Sequence, residues 1–265
     1  MRLRWAGAAW QLLPDRALLA EDSATLIVAD AHFGKAATFR ARGVPVPHGT
    51  TACNLGRLTE LVQATRARAL VFLGDLFHAR ESYARETIAA MTAWRSAHAA
   101  IDMVLVEGNH DRSAGPMPEA LAIRVVQEPW PLGPALLCHH PQQHDDGFVI
   151  AGHLHPAVRL SGRGDDSLRL PCFWWRERLA ILPAFGEFTG GATIAREAGD
   201  RVVAVAERRL YEIPAARSEL DGVRSCSCGW KTYASIARTP ASTPASICST
   251  RGCGPAAANA RGSGR

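Results

Sequence analysis

The residues of this chain best suited to binding metals or moving protons fall into five short clusters: Asp30-Ala31-His32, Gly74-Asp75, Gly108-Asn109-His110-Asp111, His139-His140 and Gly152-His153-Leu154-His155. Asp30 and His32 stand two residues apart, so on an extended segment a carboxylate and an imidazole point at one ion. Asp75 is a lone carboxylate able to bridge two cations, and Gly74 lets the chain turn tightly in front of it. Asn109, His110 and Asp111 combine a neutral oxygen ligand, a titratable imidazole and a carboxylate able to orient that imidazole. His153 and His155 repeat the spacing of two. Any one cluster is weak, because a Gly-Asp pair is more often a turn and Asp-x-His more often a surface accident. The weight comes from their number and from what precedes each of them.

Each cluster follows a short apolar run: 24–29, 69–73, 101–106, 135–138 and 148–151, rich in Val, Ile, Leu and Phe and of strand length. Between the first three, Leu55, Leu58, Leu61 and Val62 recur at helical spacing, as do Ile88, Met91 and Trp94 in a segment that Ser82 is suited to N-cap. Strand and helix alternating in this way predict βαβ units and a largely parallel sheet. Runs 178–182, 191–195 and 201–206 read as strands joined by short turns, a hairpin-rich second sheet. In open α/β sheets, loops converge at the carboxyl ends of strands, where all five clusters lie.

The 265 residues suffice for one large α/β domain, assigned to 1–214, followed by a basic low-complexity tail, 215–265, too poor in apolar residues to offset its ordering entropy. The net charge of +5 belongs to that tail, since residues 1–214 carry 23 Lys and Arg against 23 Asp and Glu, whereas 215–265 carry 7 against 2. A neutral body argues against a broad nucleic-acid face and still allows a local basic groove beside an acidic site. No apolar run is long enough to span a bilayer and the first residues lack a secretory pattern, so the expected compartment is the cytoplasm. Of seven cysteines, Cys53, Cys138 and Cys172 read as buried thiols; Cys226, Cys228, Cys248 and Cys253 have only a loose resemblance to zinc-ligand spacing.

Together, Asp30-x-His32, Gly74-Asp75, Gly108-Asn109-His110-Asp111, His139 and Gly152-His153-x-His155 resemble the full signature of the calcineurin-like metallophosphoesterases. More narrowly, the stretches 30–35, 74–80 and 182–191 resemble the ligase-associated DNA damage response endonucleases, the PdeM-like family, over about residues 1 to 212. The resemblance implies a four-layer αββα sandwich of two mixed sheets flanked by helices. It implies that Asp30, His32 and His155 hold one metal, that Asn109, His139 and His153 hold the other, and that Asp75 bridges them. His110 would protonate the leaving oxygen or stabilise the transition state, with Asp111 fixing its tautomer; His78, read from its place three residues after Asp75 and not from the resemblance, is the first candidate for a phosphate contact, with a plain solvated side chain as the alternative. His140 is left as a neighbour without an assigned duty.

The mixed oxygen and nitrogen donors suit Mn, Fe or Zn better than Mg or Ca, and the resemblance favours two Mn(II) ions. Lys35, Arg40, Arg80 and Arg112 lie beside the motifs as phosphate contacts or as plain surface charges, while Trp174, Trp175 and Phe185 are base-stacking candidates or core aromatics. The function so implied is a DNA endonuclease in repair acting on single-stranded DNA, with a DNA ligase and a repair helicase as partners. A phosphodiesterase or phosphatase for small nucleotides and a non-catalytic scaffold of the same fold are the alternatives.

Overall fold

The computed structural model describes residues 1–145, 147–162 and 166–215, and these form a seven-stranded and a nine-stranded sheet. The first sheet runs in chain order: β1 (Arg2–Trp5), β2 (Ala8–Leu13), β3 (Ala17–Ala20), β4 (Thr25–Ala29), β5 (Ala69–Leu73), β6 (Asp102–Val106) and β7 (Arg124–Val126). Strands β1 to β4 form an antiparallel meander and β4 to β7 are parallel. Helices α1 (Lys35–Ala41) and α2 (Thr50–Thr65) cross from β4 to β5, α3 (Arg85–Ala97) from β5 to β6, and α4 (Asn109–Ala114) opens the connection to β7. The expected βαβ units are therefore present.

The second sheet comprises β8 (Trp130–Leu132), β9 (Ala135–Leu137), β10 (Phe148–Ala151), β11 (Pro156–Ser161), β12 (Ser167–Trp175), β13 (Leu179–Ile181), β14 (Ala192–Thr193), β15 (Arg201–Ala206) and β16 (Arg209–Ile213). It is mixed. Strands β9, β10 and β13 are mutually parallel, while β11–β12 and β15–β16 are antiparallel hairpins. The run 191–195 is a strand only over the two residues of β14.

Three apolar layers follow from which face each strand buries. Leu55, Leu58 and Leu61 of α2 and Met91 of α3 pack on Leu26, Val28, Leu70 and Phe72 of the first sheet. The opposite face of that sheet, with Ile27, Val71 and Val104, meets Ile150, Phe173, Trp175 and Val203 across the sandwich. Because β4 and β5 are covered on both faces, their side chains are apolar without alternation. On the outer face of the second sheet, Val149, Cys172, Trp174 and Val202 cluster with Val158 and Leu170 of the β11–β12 hairpin. Truncating a fully buried aromatic such as Phe173 in such a layer costs about 3–5 kcal/mol.

Two local expectations are corrected here. Ser82 does not cap α3, which begins after Ala84; it lies in a 3₁₀ turn, Arg80–Tyr83, where its hydroxyl accepts the N–H groups of His78 (3.3 Å) and Ala79 (3.2 Å). Cys53 is only half-buried, whereas Cys138 and Cys172 are buried, which pushes both thiols up to about 12. Residues 216–265, with the four remaining cysteines, lie outside the described residues, and among the described ones no helix is long and apolar enough to cross a membrane.

Candidate metal centre

The carboxyl ends of the parallel strands of both sheets meet at one place. Asp30 follows β4, Gly74-Asp75 follows β5, Gly108-Asn109 follows β6, His139 follows β9, and His153 and His155 follow β10. The loop after β13 closes the meeting point: Ala184 bridges Ala29 in parallel fashion, and Phe185 N–H donates to the Ala29 carbonyl at 2.8 Å. The two sheets are thus joined by main-chain bonds beside the site.

The turns that aim these side chains are strained. Asp30, His32, Asp75, His153 and His155 all have left-handed φ, between 45° and 67°, a region that residues other than Gly seldom occupy. Each such residue costs on the order of 1 kcal/mol or more and persists only where its surroundings over-determine it. Here they do. His153 N–H donates to Asp30 Oδ2 at 2.9 Å, His110 N–H to Asp75 Oδ1 at 3.0 Å, and His32 N–H to the Asp75 carbonyl at 2.9 Å. The motif glycines answer a second constraint, close approach. A Cβ on Gly74 would overlap the His139 ring, one on Gly108 would strike the Asp75 carboxylate, and one on Gly152 would lie 2.7 Å from Asp30 Oδ2.

Asp30 and His139 are fully buried and Asp75 and His32 nearly so. Asp75 stands between two groups: its Oδ2 lies 3.8 Å from His32 Nε2 and its Oδ1 3.5 Å from His139 Nε2. On one side Asp30 Oδ1 is 3.3 Å from His155 Nε2, outside hydrogen-bond geometry, and both atoms are buried without a partner, as is His32 Nδ1. On the other side His139 Nδ1–H is held by the Leu73 carbonyl at 3.1 Å, which turns its Nε2 lone pair inward, 3.0 Å from Asn109 Oδ1 and 3.0 Å from His153 Nδ1. The His155 Nδ1 is likewise occupied, by the Gly190 carbonyl at 3.0 Å.

Buried acceptors with no donor, packed against carboxylates, are costly unless a cation takes their lone pairs. The donor set fits divalent ions: Asp30, His32 and His155 lie within 4.8 Å of one another by their ligand atoms, as do Asp30, Asp75 and His139. Burial raises the Asp75 carboxyl above its ordinary range and lowers the His32 and His153 imidazoles, so those two rings keep their lone pairs free for a metal; at His155 burial is outweighed by the adjacent Asp30 carboxylate, which raises the imidazole.

The residues predicted for proton transfer lie against the Asp30 side. His110 donates Nδ1–H to the His78 carbonyl at 2.7 Å, which leaves its Nε2, 3.9 Å from Asp75 Oδ2, facing the site. The His78 ring stacks on it, with centroids 4.7 Å apart. Asp111 does not fix the His110 tautomer as expected. It points away, accepting N–H bonds from Gly108 (3.0 Å) and Phe77 (3.1 Å), and burial pushes its carboxyl up to about 7. Its work is to cap α4 from the third position and tie that helix to the loop after β5.

Other expectations sort by burial. Phe185 is fully buried under the Arg57 guanidinium, 4.2 Å from its centroid; Trp175 lies between the sheets, and Trp174 donates to Asp200 on the far face. All three are buried rather than open to a stacking base. Arg40 is spent on the carbonyls of Val46 and Pro47, Arg112 lies 3.9 Å from Glu107, and Arg80 is exposed. Lys35 is the cation that faces the site: burial lowers its pKa, against the pull of Asp75 and Asp30.

Glu128 was not foreseen. Its carboxylate accepts the main-chain N–H groups of His139 (2.7 Å) and His140 (2.9 Å) through Oε2 and the His140 ring through Oε1 at 2.6 Å. A lone Glu before Pro129 carries no signal in sequence; only the pairing of β8 with β9 brings it under the His pair.

A nuclease of Pseudomonas putida, MPE, has a structure similar to this chain over 80% of the chain and 99% of its own length, with 41% sequence identity and a TM-score of 0.72. The Escherichia coli phosphoesterase Yfce is 16% identical over 71% of this chain and 97% of its own, at a TM-score of 0.36. The Aquifex aeolicus protein AQ665, of unknown function, is 17% identical over 53% and 82%, at 0.34. No protein-family model matches the chain. No curated protein matches it either.

Proposed function

The chain belongs to the calcineurin-like metallophosphoesterases, and on that premise we propose that it is a two-metal phosphodiesterase that cleaves DNA, acting in DNA repair on single-stranded substrate. What supports the reading is one observation: carboxylate, amide and imidazole donors from five separate strand ends meet around buried ligand atoms that have no protein partner. The nuclease similarity supports a nucleic acid as substrate.

In this reading Asp30, His32 and His155 hold one ion, Asn109, His139 and His153 the other, and Asp75 reaches both. Divalent ions bound there, Mn(II) in first place and Fe or Zn in second, would supply charge neutralisation at the phosphate and lower the pKa of a water from about 15.7 to about 7. The chain's own groups do the rest. The His78 carbonyl pins His110 Nδ1–H, so His110 Nε2 is the atom that holds a proton for the leaving oxygen. His78, stacked on His110, and Lys35, half-buried beside the carboxylates, face the path of an anionic substrate. The β13 loop orients His155 through the Gly190 carbonyl.

A cytoplasmic location, association with a DNA ligase and a repair helicase, and a division at residue 214 between the catalytic domain and its tail belong to the same proposal. The experiment is a cleavage panel with Mn(II): single-stranded DNA, duplex DNA, small nucleotides and a bis-aryl phosphate. Internal cleavage of single-stranded DNA is the expected result. Turnover of nucleotides alone overturns the nuclease reading in favour of a small-nucleotide phosphodiesterase, and no turnover of any substrate, with both ions bound, favours a non-catalytic scaffold.

A further inference from the structure

We propose that His140 is a further metal ligand on the Asn109 side of the centre, held in place by Glu128. The inference rests on the two-ion reading above and extends it to a residue and a carboxylate which that reading leaves idle.

Three observations carry it. First, the ligand atoms of His139, His140 and His153 lie within 4.8 Å of one another, the same closeness that groups Asp30, His32 and His155. The His140 ring sits 4.7 Å from those of both His139 and His153, centroid to centroid. Second, the tautomer is fixed. A carboxylate only accepts, so the 2.6 Å contact to Glu128 Oε1 makes Nδ1 the protonated nitrogen of the neutral His140 ring, and Nε2 is the atom a metal would take. A carboxylate behind an imidazole is the arrangement that orients metal-bound histidines and raises their basicity. Third, Glu128 Oε2 also receives the N–H groups of residues 139 and 140, so the same side chain fixes the backbone that carries both rings. Among the described residues the hydrogen bonds of His140 run through its main-chain N–H and Nδ1, and the side chain remains one-third exposed.

A consequence follows for the pair of ions. With His140 included, the Asn109 side offers three imidazoles and a neutral amide, whereas the Asp30 side offers two imidazoles and a carboxylate, apart from the shared Asp75. The nitrogen-rich side favours Zn(II) over Mn(II) more strongly than its neighbour does. The two sites would therefore differ in their preference between Zn(II) and Mn(II).

The test is calorimetric titration of the full chain, stripped of metal by chelation, with Mn(II) and separately with Zn(II). Wild type is expected to take up two ions with resolvable affinities. Glu128→Gln should weaken one of the two by about 10- to 100-fold and leave the other unchanged, and His140→Ala should weaken the same one by at least as much. Circular dichroism of the stripped proteins checks folding, and His140→Gln replaces His140→Ala should the latter not fold. Two ions bound by the variants with wild-type affinities overturns the proposal and leaves the two-ion reading intact. Fewer than two ions bound by wild type overturns that reading itself.

Discussion

The two sheets contribute unequally to the centre. The first supplies both carboxylates, Asp30 and Asp75, together with the Asn109 amide and one imidazole, His32; the second supplies imidazoles alone, His139, His153 and His155. The first sheet's carboxylates are buried and locked by main-chain donors, so their oxygens are fixed in space by the fold itself. Of the second sheet's ligands, the His139 and His155 rings are aimed by carbonyls at the edge of the site, those of Leu73 and Gly190. Both carboxylates thus come from one layer of the sandwich and three of the four imidazoles of the two-ion reading from the other, and cations at the seam would join them.

Removing the bridge should break this division most completely. Asp75→Ala is expected to cost several orders of magnitude in phosphodiester hydrolysis and to lower bound metal below two equivalents by elemental analysis, because Asp75 is the group that reaches both sides. His110→Ala should separate proton transfer from metal binding: about 100- to 10,000-fold slower turnover with metal content unchanged. Unchanged turnover would remove His110 from the proton path.

Gly152→Ala probes the seam itself, since its Cβ would lie 2.7 Å from Asp30 Oδ2 and 3.0 Å from the Leu73 carbonyl. The second sheet must shift away from the first, and metal affinity should fall by about 10- to 100-fold while the apolar layers stay folded. Stripping metal from wild type should lower stability toward urea by about 2.7 kcal/mol per site when each ion was present at about 100 times its dissociation constant. An unchanged midpoint would mean that ions do not join the sheets.

The smallest effect concerns His78. Burial first, then the nearby Lys35, pushes its imidazole down to about 4 from an ordinary 6.5. In metal-free protein the unfolded chain therefore binds a proton at His78 between those values and the folded chain does not. Stability from this group is present above pH 6.5 and lost as pH falls toward 4. His78→Gln should lack that loss, so the variant gains on wild type as pH drops, read from urea midpoints across the interval.

Much of this was legible beforehand because parallel strands covered on both faces leave a plain signature. The runs 69–73 and 148–151 coincide with β5 and β10, and every cluster sits at a strand end. The meander β1 to β3 has no plain signature because β1 and β2 mix Arg, Trp and Gln with apolar residues and β3 is only four residues long; it gains its partners only by lying beside β4. Asp111 was misread for a related reason. Adjacency to His110 suggested a pair, but consecutive residues at a helix start point in different directions, and Asp111 turned back to cap its own helix.

The sequence by itself determined which groups were available and that each would stand at the end of a rigid strand, since ligand type and strand signature are both local properties. Only the tertiary structure decided which nitrogen of each ring faces inward, that Glu128 lies behind His140, and that Phe185, Trp174 and Trp175 serve the core. Those outcomes depend on carbonyls and carboxylates brought from residues far away along the chain, and such contacts leave no mark on the spacing of neighbours.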